Sequence, residues 1–280
     1  MAAPAAEGLA VTALRSVIHR VRQAAERSGR RADDVRVVAV SKTKPISLIT
    51  QVYEAGHRCF GENYVQEIIQ KAPELPEDIE WHYIGHLQSN KAKQLLSTGS
   101  SKYLCDLLFC YYPISLNYTS IDITSLSIYF CGFPTRGWKL CDYTTAQLVL
   151  ANYLDRAVSS IGRQPLKVLV QVNTSGEESK SGVDPSNCIE LAKHVKLDCP
   201  NLEFSGLMTI GRPDYTSTPE NFKTLLNCRT EVCKVLGMAE SRCELSMGMS
   251  SDFELAIEMG STNVRIGSTI FGPREYPKRQ

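Results

Sequence analysis

The sequence predicts an α/β protein folded as a single (β/α)8 barrel of the TIM type. Apolar segments of strand length alternate with segments of helical periodicity throughout the 280 residues. The strand segments scarcely alternate between apolar and polar residues, which is typical of parallel strands covered by helices. Barrels of this kind need about 250 residues, so the length favours a barrel over an open doubly wound sheet.

The strands and helices can be placed in order along the chain. A first helix over 9–28 has apolar residues at helical spacing and ends before Gly29. A gap remains where the fourth of the eight strands would stand. The strands are expected at 36–41, 57–63, 81–86, 166–173, 202–210, 243–249 and 263–272, and the later helices at 46–55, 64–72, 88–97, 154–162, 187–197, 218–237 and 251–260.

Composition argues against several classes of function. The net charge of +1 gives no reason to expect nucleic acid or an anionic membrane as a partner. Residues 1–12 lack the basic start and long apolar core of a secretory signal, so the cytoplasm is the expected compartment. The ten cysteines include no C-x-x-C pair, and we therefore expect reduced structural thiols rather than zinc ligands or disulfides.

A lysine ends the first predicted strand. The stretch 36–45 is RVVAVSKTKP, in which an apolar run leads directly to Ser41 and Lys42. Functional side chains in a parallel barrel gather at the carboxyl ends of the strands. Lys42 is therefore either a solvated strand end or an amine held inside a pocket. Lys44 lies further along the loop, where we expect it to be solvated.

The turns after the last two strands suit a phosphate group. The run SMGMSS at 246–251 leads from a strand into a helix, and Gly267, Ser268 and Thr269 come directly after the apolar start of the last strand. Backbone N–H groups at a helix start and nearby hydroxyls bind phosphate well, and barrels often build phosphate sites after these strands. The alternative is that Ser250 only caps a helix and Gly267 only forms a tight turn.

A strand-end lysine combined with a phosphate site favours pyridoxal phosphate held as a Schiff base. An ε-amine reacts only when it is unprotonated, and partial burial favours that form. Arg265, on the last strand, would face the pyridine nitrogen and keep it unprotonated. His82 is expected to pack in the core, whereas His86, Asn63 and Asn173 are candidates for lining the pocket.

Long motifs in the chain resemble the pyridoxal phosphate homeostasis protein family, and most closely its plant members. They fall within 10–98 and 145–277 and include VVAVSKTKP, FGENYVQE, WHYIGHLQSNK, LVQVNTSGEESKSGV, FSGLMTIG and the run from ELSMGM to FGPREY. The resemblance implies a barrel like the N-terminal domain of alanine racemase, a fold-type III pyridoxal phosphate protein. It further implies that Lys42 holds the cofactor as an internal aldimine and that Arg265 faces the pyridine nitrogen.

The remaining site residues are also implied by this resemblance. Ser246, Gly267 and Ser268 match the phosphate-contact segments of the family. Asn63 and Met208 match positions that line the pocket. The implied site thus has a covalent lysine, an arginine, a phosphate cradle and two pocket-lining residues.

Two functions remain open. The first is a cytoplasmic, monomeric protein that holds pyridoxal phosphate and supplies it to apoenzymes, or buffers it, without strong catalysis. The second is a pyridoxal phosphate-dependent amino-acid racemase. Alanine racemases complete their site with a further β-domain and a tyrosine from the partner subunit, whereas Tyr276 is the tyrosine that follows the last strand here. We therefore expect the carrier function.

The segment 99–143 departs from the pattern of the family, which has a short loop and a barrel strand there. Five tyrosines, few charges and many β-branched residues distinguish 101–142 from its surroundings. Pro113, Asn117 and Asp122 argue against a membrane span. We hypothesise that the segment is translated intron sequence or a splice variant; if it is genuine, the fourth strand would come from 120–130.

Peptide mass spectrometry of native protein tests this hypothesis. We expect no peptide from 107–136 in material purified from its source, while peptides from both flanking regions are recovered. Recombinant protein of the printed sequence serves as the control that the segment yields detectable peptides. Recovery of the segment from native material would show that it is genuine.

Overall fold

Eight parallel strands close into a barrel in which each strand pairs with the next and the last pairs with the first. The computed structural model describes residues 8–98, 104–105, 143–177, 182–211 and 218–273. The predicted (β/α)8 barrel is confirmed. Its strands are β1 (Arg36–Val40), β2 (Cys59–Glu62), β3 (Glu80–Tyr83), β4 (Leu104–Cys105), β5 (Leu166–Gln171), β6 (Leu202–Met208), β7 (Glu244–Ser246) and β8 (Asn263–Ile266).

Helices surround the barrel. They are α1 (Leu9–Arg27), α2 (Ile46–Glu54), α3 (Val65–Lys71), α4 (Ser89–Leu96), α5 (Tyr143–Ile161), α6 (Cys188–Leu197), α7 (Thr218–Leu236), α8 (Phe253–Glu258) and α9 (Ser268–Phe271). α1 precedes the first strand and packs against α2, α8 and α9 through an apolar face that includes Leu14, Val17 and Val21. None of the helices described has the length and apolar character needed to cross a bilayer.

Buried apolar side chains form two separate groups. The large group, which includes Val37 and Ala39 of β1, lies between the strands and the helices. Successive side chains of a strand point to opposite faces of the sheet, so Val40 faces the barrel interior. Val40 belongs to the small group, which we call the barrel floor and which consists of Val40, Ile84, Leu169 and Met208.

The fourth strand lies at the start of the atypical segment. Leu104 pairs with His82 of β3 and with Lys167 of β5, and this pairing bridges the gap in the sheet. The position suggested from the sequence, 120–130, is wrong for this strand, and those residues lie outside the described part of the chain. A strand at 104–105 needs only a short connection from α4, as helix-to-strand links in barrels usually have.

The last strand is shorter than the sequence suggests. We expected a strand over 263–272, but β8 ends at Ile266 and the short helix α9 follows. The N–H groups of Ile270 and Phe271 donate to the Gly267 carbonyl at 3.0 and 2.9 Å. Both side chains are buried in the large core, which a helical turn after Gly267 allows.

A glycine sets the close approach of β6 to β7. The pairing of β5 with β6 shifts register between Val168 and Leu169, and Gly206 stands opposite Leu169 at this irregularity. A Cβ atom on Gly206 would lie 2.1 Å from the carbonyl oxygen of Glu244 in β7. Any larger residue would therefore push the two strands apart.

Replacing this glycine tests the packing. We expect Gly206→Ala to lower the free energy of unfolding by roughly 3 kcal/mol, the upper end of common overpacking costs, because the clash is with backbone. Gly162→Ala is the control: Gly162 also has a positive φ, but nothing lies within 4 Å of its Cβ position, so the expected loss is about 1 kcal/mol. Equal losses in urea unfolding would contradict the close approach.

Candidate functional site

Lys42 lies in a tight turn at the carboxyl end of β1. The Ser41 N–H donates to the Gly61 carbonyl at 2.9 Å, which extends the β1–β2 ladder to Ser41. The Lys44 N–H donates back to the Ser41 carbonyl at 3.0 Å, so Lys42 and Thr43 are the central residues of the turn. Lys42 is half-buried. By alternation from Val40 it lies on the interior side of the sheet, at the barrel mouth.

Lys44 has a different environment. Its Nζ donates to the Pro273 carbonyl at 2.7 Å, which joins the β1–α2 loop to the segment after α9. Lys44 is half-buried, and its bond to Pro273 lies in an exposed position. The side chain of Lys44 thus reaches Pro273, the last residue that the structure describes. The two lysines of the turn are therefore distinct, and Lys44 is tied to backbone away from the barrel floor.

Arg265 and Ser246 meet inside the barrel. Arg265, on β8, is only 5% exposed, and its Nη1 donates to Ser246 Oγ at 2.6 Å. Its Nη2 donates to the carbonyl of Thr209, after β6, at 2.8 Å. These two bonds fix the plane of the guanidinium. Ser246, expected at the phosphate, thus also accepts a hydrogen bond from Arg265.

Met208 belongs to the barrel floor and is 1% exposed. With Val40, Ile84 and Leu169 it closes the interior beneath the carboxyl ends of the strands. An apolar surface of this kind suits the face of an aromatic ring. The structure therefore places Met208 where it can line a pocket, as a floor residue rather than a polar contact.

Small residues shape the turns after β7 and β8. Gly248 has φ +97°, and a Cβ there would lie 2.6 Å from the Ala256 methyl carbon. A Cβ on Gly267 would lie 3.2 Å from the Val40 carbonyl oxygen, so the last turn packs directly on the first strand. Ser268 is exposed and begins α9. The predicted phosphate segments therefore adjoin the β1 end that carries Lys42.

The residue at the start of α8 is Asp252, not Ser250. Asp252 Oδ1 accepts from the Met249 N–H at 2.7 Å, and the helix begins one residue later. Burial is the main cause of a raised pKa for the Asp252 carboxyl, while the hydrogen bond to Met249 and the charge of Arg265 oppose the rise. Ser250 Oγ instead lies 3.5 Å from the Thr269 N–H, between the two turns. The interpretation of Ser250 as a helix cap is therefore wrong.

Asn63 is half-buried at the end of β2. Its Oδ1 is buried and has no hydrogen-bond partner among the described residues. Its backbone is tightly packed, because a Cβ on Gly85 would lie 1.8 Å from the Asn63 carbonyl oxygen. A buried acceptor without a partner is costly, and this one marks a position where a ligand donor would be accommodated.

The other residues considered for the pocket lie in different environments. His82 is 1% exposed, in line with a packed core residue. His86 is exposed, although partial burial of its ring lowers the pKa. Asn173 Nδ2 donates to the Glu177 carbonyl at 2.9 Å, and its Oδ1 accepts from Ser175 Oγ at 2.8 Å. Both of these Asn173 contacts therefore lie within its own loop.

Sequence reasoning missed the groups that surround the lysine turn from outside the barrel. Glu62, at the end of β2, and Lys71 and Glu67, on α3, form a charged network there. The i,i+4 spacing of Glu67 and Lys71 was visible in the sequence. Their contact with the first strand was not, because it depends on how α3 packs against the sheet. The described residues hold no group of three metal-ligating side chains, and the six cysteines whose environment is described are free.

The model of the alanine racemase N-terminal domain family matches residues 12–275. The pyridoxal phosphate homeostasis protein of Homo sapiens is 42% identical over 277 residues, which are 95% of this chain and 87% of the human protein. The protein of the same name from Schizosaccharomyces pombe is 38% identical over 248 residues, covering 88% of this chain and 86% of the yeast protein.

A solved structure of similar fold is PipY of Synechococcus elongatus with pyridoxal phosphate bound. It is 28% identical, with a TM-score of 0.65, and the match covers 94% of this chain and 100% of PipY. The match of the family model and the identity with the curated relatives extend over nearly the whole chain. The chain therefore belongs to the alanine racemase N-terminal domain family and, within it, to the pyridoxal phosphate homeostasis proteins.

Proposed function

We propose that this chain binds pyridoxal 5'-phosphate at the carboxyl face of the barrel and acts in the homeostasis of that cofactor, holding and supplying it without strong catalytic activity. The observation that carries the proposal is the position of Lys42, half-buried at the barrel mouth above an apolar floor. The names of the human and yeast relatives and the cofactor bound in the PipY structure support it.

The residues at the barrel mouth fit this cofactor. Lys42 supplies the amine, and Met208 supplies part of the apolar surface for the ring. Asn63 Oδ1 is a buried acceptor that has no donor among the described residues and could accept from the ligand. Gly267 leaves the last turn without a side chain against Val40. Pyridoxal phosphate, when bound, supplies an aldehyde whose carbon joins the lysine Nζ with release of water.

Arg265 would orient the pyridine ring. Its guanidinium is held by Ser246 Oγ and the Thr209 carbonyl, so it cannot turn freely to follow a ligand. Arginine stays protonated at every physiological pH. A fixed guanidinium that faces the pyridine nitrogen would keep that nitrogen unprotonated, which weakens the ring as an acceptor of electrons. This favours holding the cofactor over using it for chemistry.

Ser246, Ser268 and Gly267 would receive the phosphate. The Ser246 hydroxyl accepts from Arg265, which leaves its own proton available for donation to a phosphate oxygen. Ser268 is exposed at the start of α9, so its hydroxyl is accessible to a ligand from solvent. The absence of a side chain on Gly267 lets the phosphate approach the backbone of the turn closely.

The protein would act in the cytoplasm as a monomer, with pyridoxal phosphate-dependent apoenzymes as recipients and with no membrane or nucleic acid partner. The near-neutral charge supports the last point. One barrel that carries every proposed cofactor contact is enough for this role. The segment 99–143 would belong to this single domain, where it replaces the short loop and barrel strand of the family.

An amino-acid racemase is the second candidate, since the matching family model is that of the alanine racemase N-terminal domain. Racemisation requires a proton donor and a proton acceptor on opposite faces of the bound substrate. Tyr276, considered from the sequence as the second group, lies outside the described residues. The names of the curated relatives favour the carrier.

Borohydride trapping tests the assignment of Lys42. We expect the purified protein with pyridoxal phosphate to become permanently labelled on Lys42, since reduction fixes the bond to Nζ. Lys42→Ala should lose the label and the associated visible absorbance, whereas Lys44→Ala should keep both. Peptide mapping by mass spectrometry locates the label. Undiminished labelling of the Lys42→Ala protein would disprove the assignment.

An optical rotation assay separates the two candidate functions. We expect L-alanine and L-serine to keep their optical rotation when incubated with the loaded protein. The reason is that racemisation needs acid–base groups on both faces of the cofactor, and the proposed site does not include such a pair. A known alanine racemase under the same conditions provides the positive control. Loss of rotation at an ordinary enzymatic rate, abolished in Lys42→Ala, would establish the racemase instead.

A further inference from the structure

Three charged side chains, two of them buried and one partly exposed, pack against the outer side of the Lys42 turn. They are Glu62 on β2 and Glu67 and Lys71 on α3, whose side chains are 0%, 20% and 9% exposed. Lys71 Nζ donates to Glu62 Oε1 at 2.8 Å and also to Glu67 Oε2. We call these residues the turn-holding network.

The turn-holding network bonds to the residues on both sides of Lys42. Before it, Ser41 Oγ donates to Glu62 Oε1 at 2.7 Å, and the Ser41 carbonyl accepts from Lys71 Nζ at 3.1 Å. After it, the Thr43 N–H donates to Glu67 Oε2 at 2.8 Å. The ammonium of Lys71 thereby uses all three of its donors. Both ends of the peptide unit that carries Lys42 are held.

Thr43 shows why such bonds are needed. It has φ +63°, and among the described residues it is the only non-glycine with a positive φ. A positive φ is a conformation that a β-branched residue adopts only at a cost. A strained residue of this kind persists where the surrounding contacts determine its conformation. Glu67 supplies one of those contacts directly.

The composition of the network points away from a purely stabilising role. Burial raises the pKa of Glu62 to about 7, opposed mainly by the charge of Lys71 and by its hydrogen bonds with Lys71 and Ser41. Buried ion pairs contribute little net stability, because the cost of removing charges from water offsets their attraction. What this arrangement does provide is a fixed direction for the bonds that reach Ser41 and Thr43.

We propose that Glu62, Glu67 and Lys71 are positioning residues for Lys42, which hold its turn so that the amine enters the barrel mouth and reacts quickly with pyridoxal phosphate. The proposal rests on the proposed function in that it takes Lys42 as the amine that binds the cofactor. The side chains act from the helix side of the sheet, while the cofactor binds on the interior side. Their effect on Lys42 therefore passes through the backbone of Ser41 and Thr43.

Variants of Glu67 test this role, because its partial exposure makes a folded protein the expected result. In Glu67→Ala the Thr43 N–H loses its acceptor, and we expect the borohydride-fixed label on Lys42 to form about tenfold more slowly, because a misplaced reacting group reacts more slowly. Glu67→Gln retains an oxygen that accepts from Thr43 and should react at close to the wild-type rate. Lys71→Met removes three hydrogen bonds at similar volume and should slow the reaction further.

The control is Glu254→Ala on α8. It removes an ion pair of 2.8 Å with Arg20, of comparable geometry but outside the network. We expect this variant to form the label at the wild-type rate. Melting temperatures of all variants identify any that lose stability, and Glu67→Ala alone decides the question if Lys71→Met does not fold.

A second readout uses no cofactor. Brief treatment of the cofactor-free protein with acetic anhydride, followed by peptide mapping, compares acetylation of Lys42 with that of Lys44 in the same molecule. We expect the Lys42 to Lys44 ratio to change in Glu67→Ala and to return to the wild-type value in Glu67→Gln. An unchanged ratio together with equal labelling rates would overturn the positioning role, even if wild-type Lys42 binds the cofactor. If wild-type protein forms no label, the proposed function fails, while the acetylation ratio still decides the positioning role.

Discussion

The hydrogen-bonded pairing of β1 with β8 is the contact on which the candidate site depends. It closes the barrel and sets Val38 opposite Arg265, so residues from the two ends of the chain share one level of the sheet. Because the strands are parallel, the Lys42 turn and the Gly267 turn emerge at the same face. Gly267 can then pack against the Val40 carbonyl, where a Cβ would lie 3.2 Å away. Without this closure the Lys42 turn and the Gly267 turn would not lie side by side.

The alternation of side chains along β1 divides the site into two parts with different chemistry. Val40 faces inward and joins the barrel floor, whereas Ser41 is directed outward to Glu62 and Lys71. Lys42 thus lies between an apolar interior and a charged exterior layer. The interior suits a flat ring, and the exterior layer holds the backbone. A helix-side network is able to act on a lysine that faces the opposite side of the sheet because a strand backbone is shared by both faces.

Much of the site was predictable from strand ends alone. Lys42, Asn63 and Met208 lie at or near the carboxyl ends of predicted strands, whereas Ser246 and Arg265 lie within predicted strands. The structure places all five toward the carboxyl end of the barrel. The bond between Arg265 and Ser246 was not predictable, because it depends on the register of β8 against β7. Nor was the environment of Lys44, whose partner Pro273 is remote in sequence. The environment of Glu62 was not predictable either, because Glu62 adjoins Asn63 in sequence but its side chain lies on the opposite side of the sheet.

The sequence by itself determined the number and order of parallel strands and the residues that end them, because apolar strand segments and helical periodicity are local patterns. For the fourth strand it suggested 120–130, whereas the structure supplies that strand with Leu104–Cys105. It also extended the last strand past Ile266, where burial of Ile270 and Phe271 favours a helical turn. Only the tertiary structure decided which strand-end groups bond to each other and which contacts hold the Lys42 turn. The reason is physical: such contacts join residues far apart in sequence, and their geometry is set by barrel closure and by the packing of helices on the sheet.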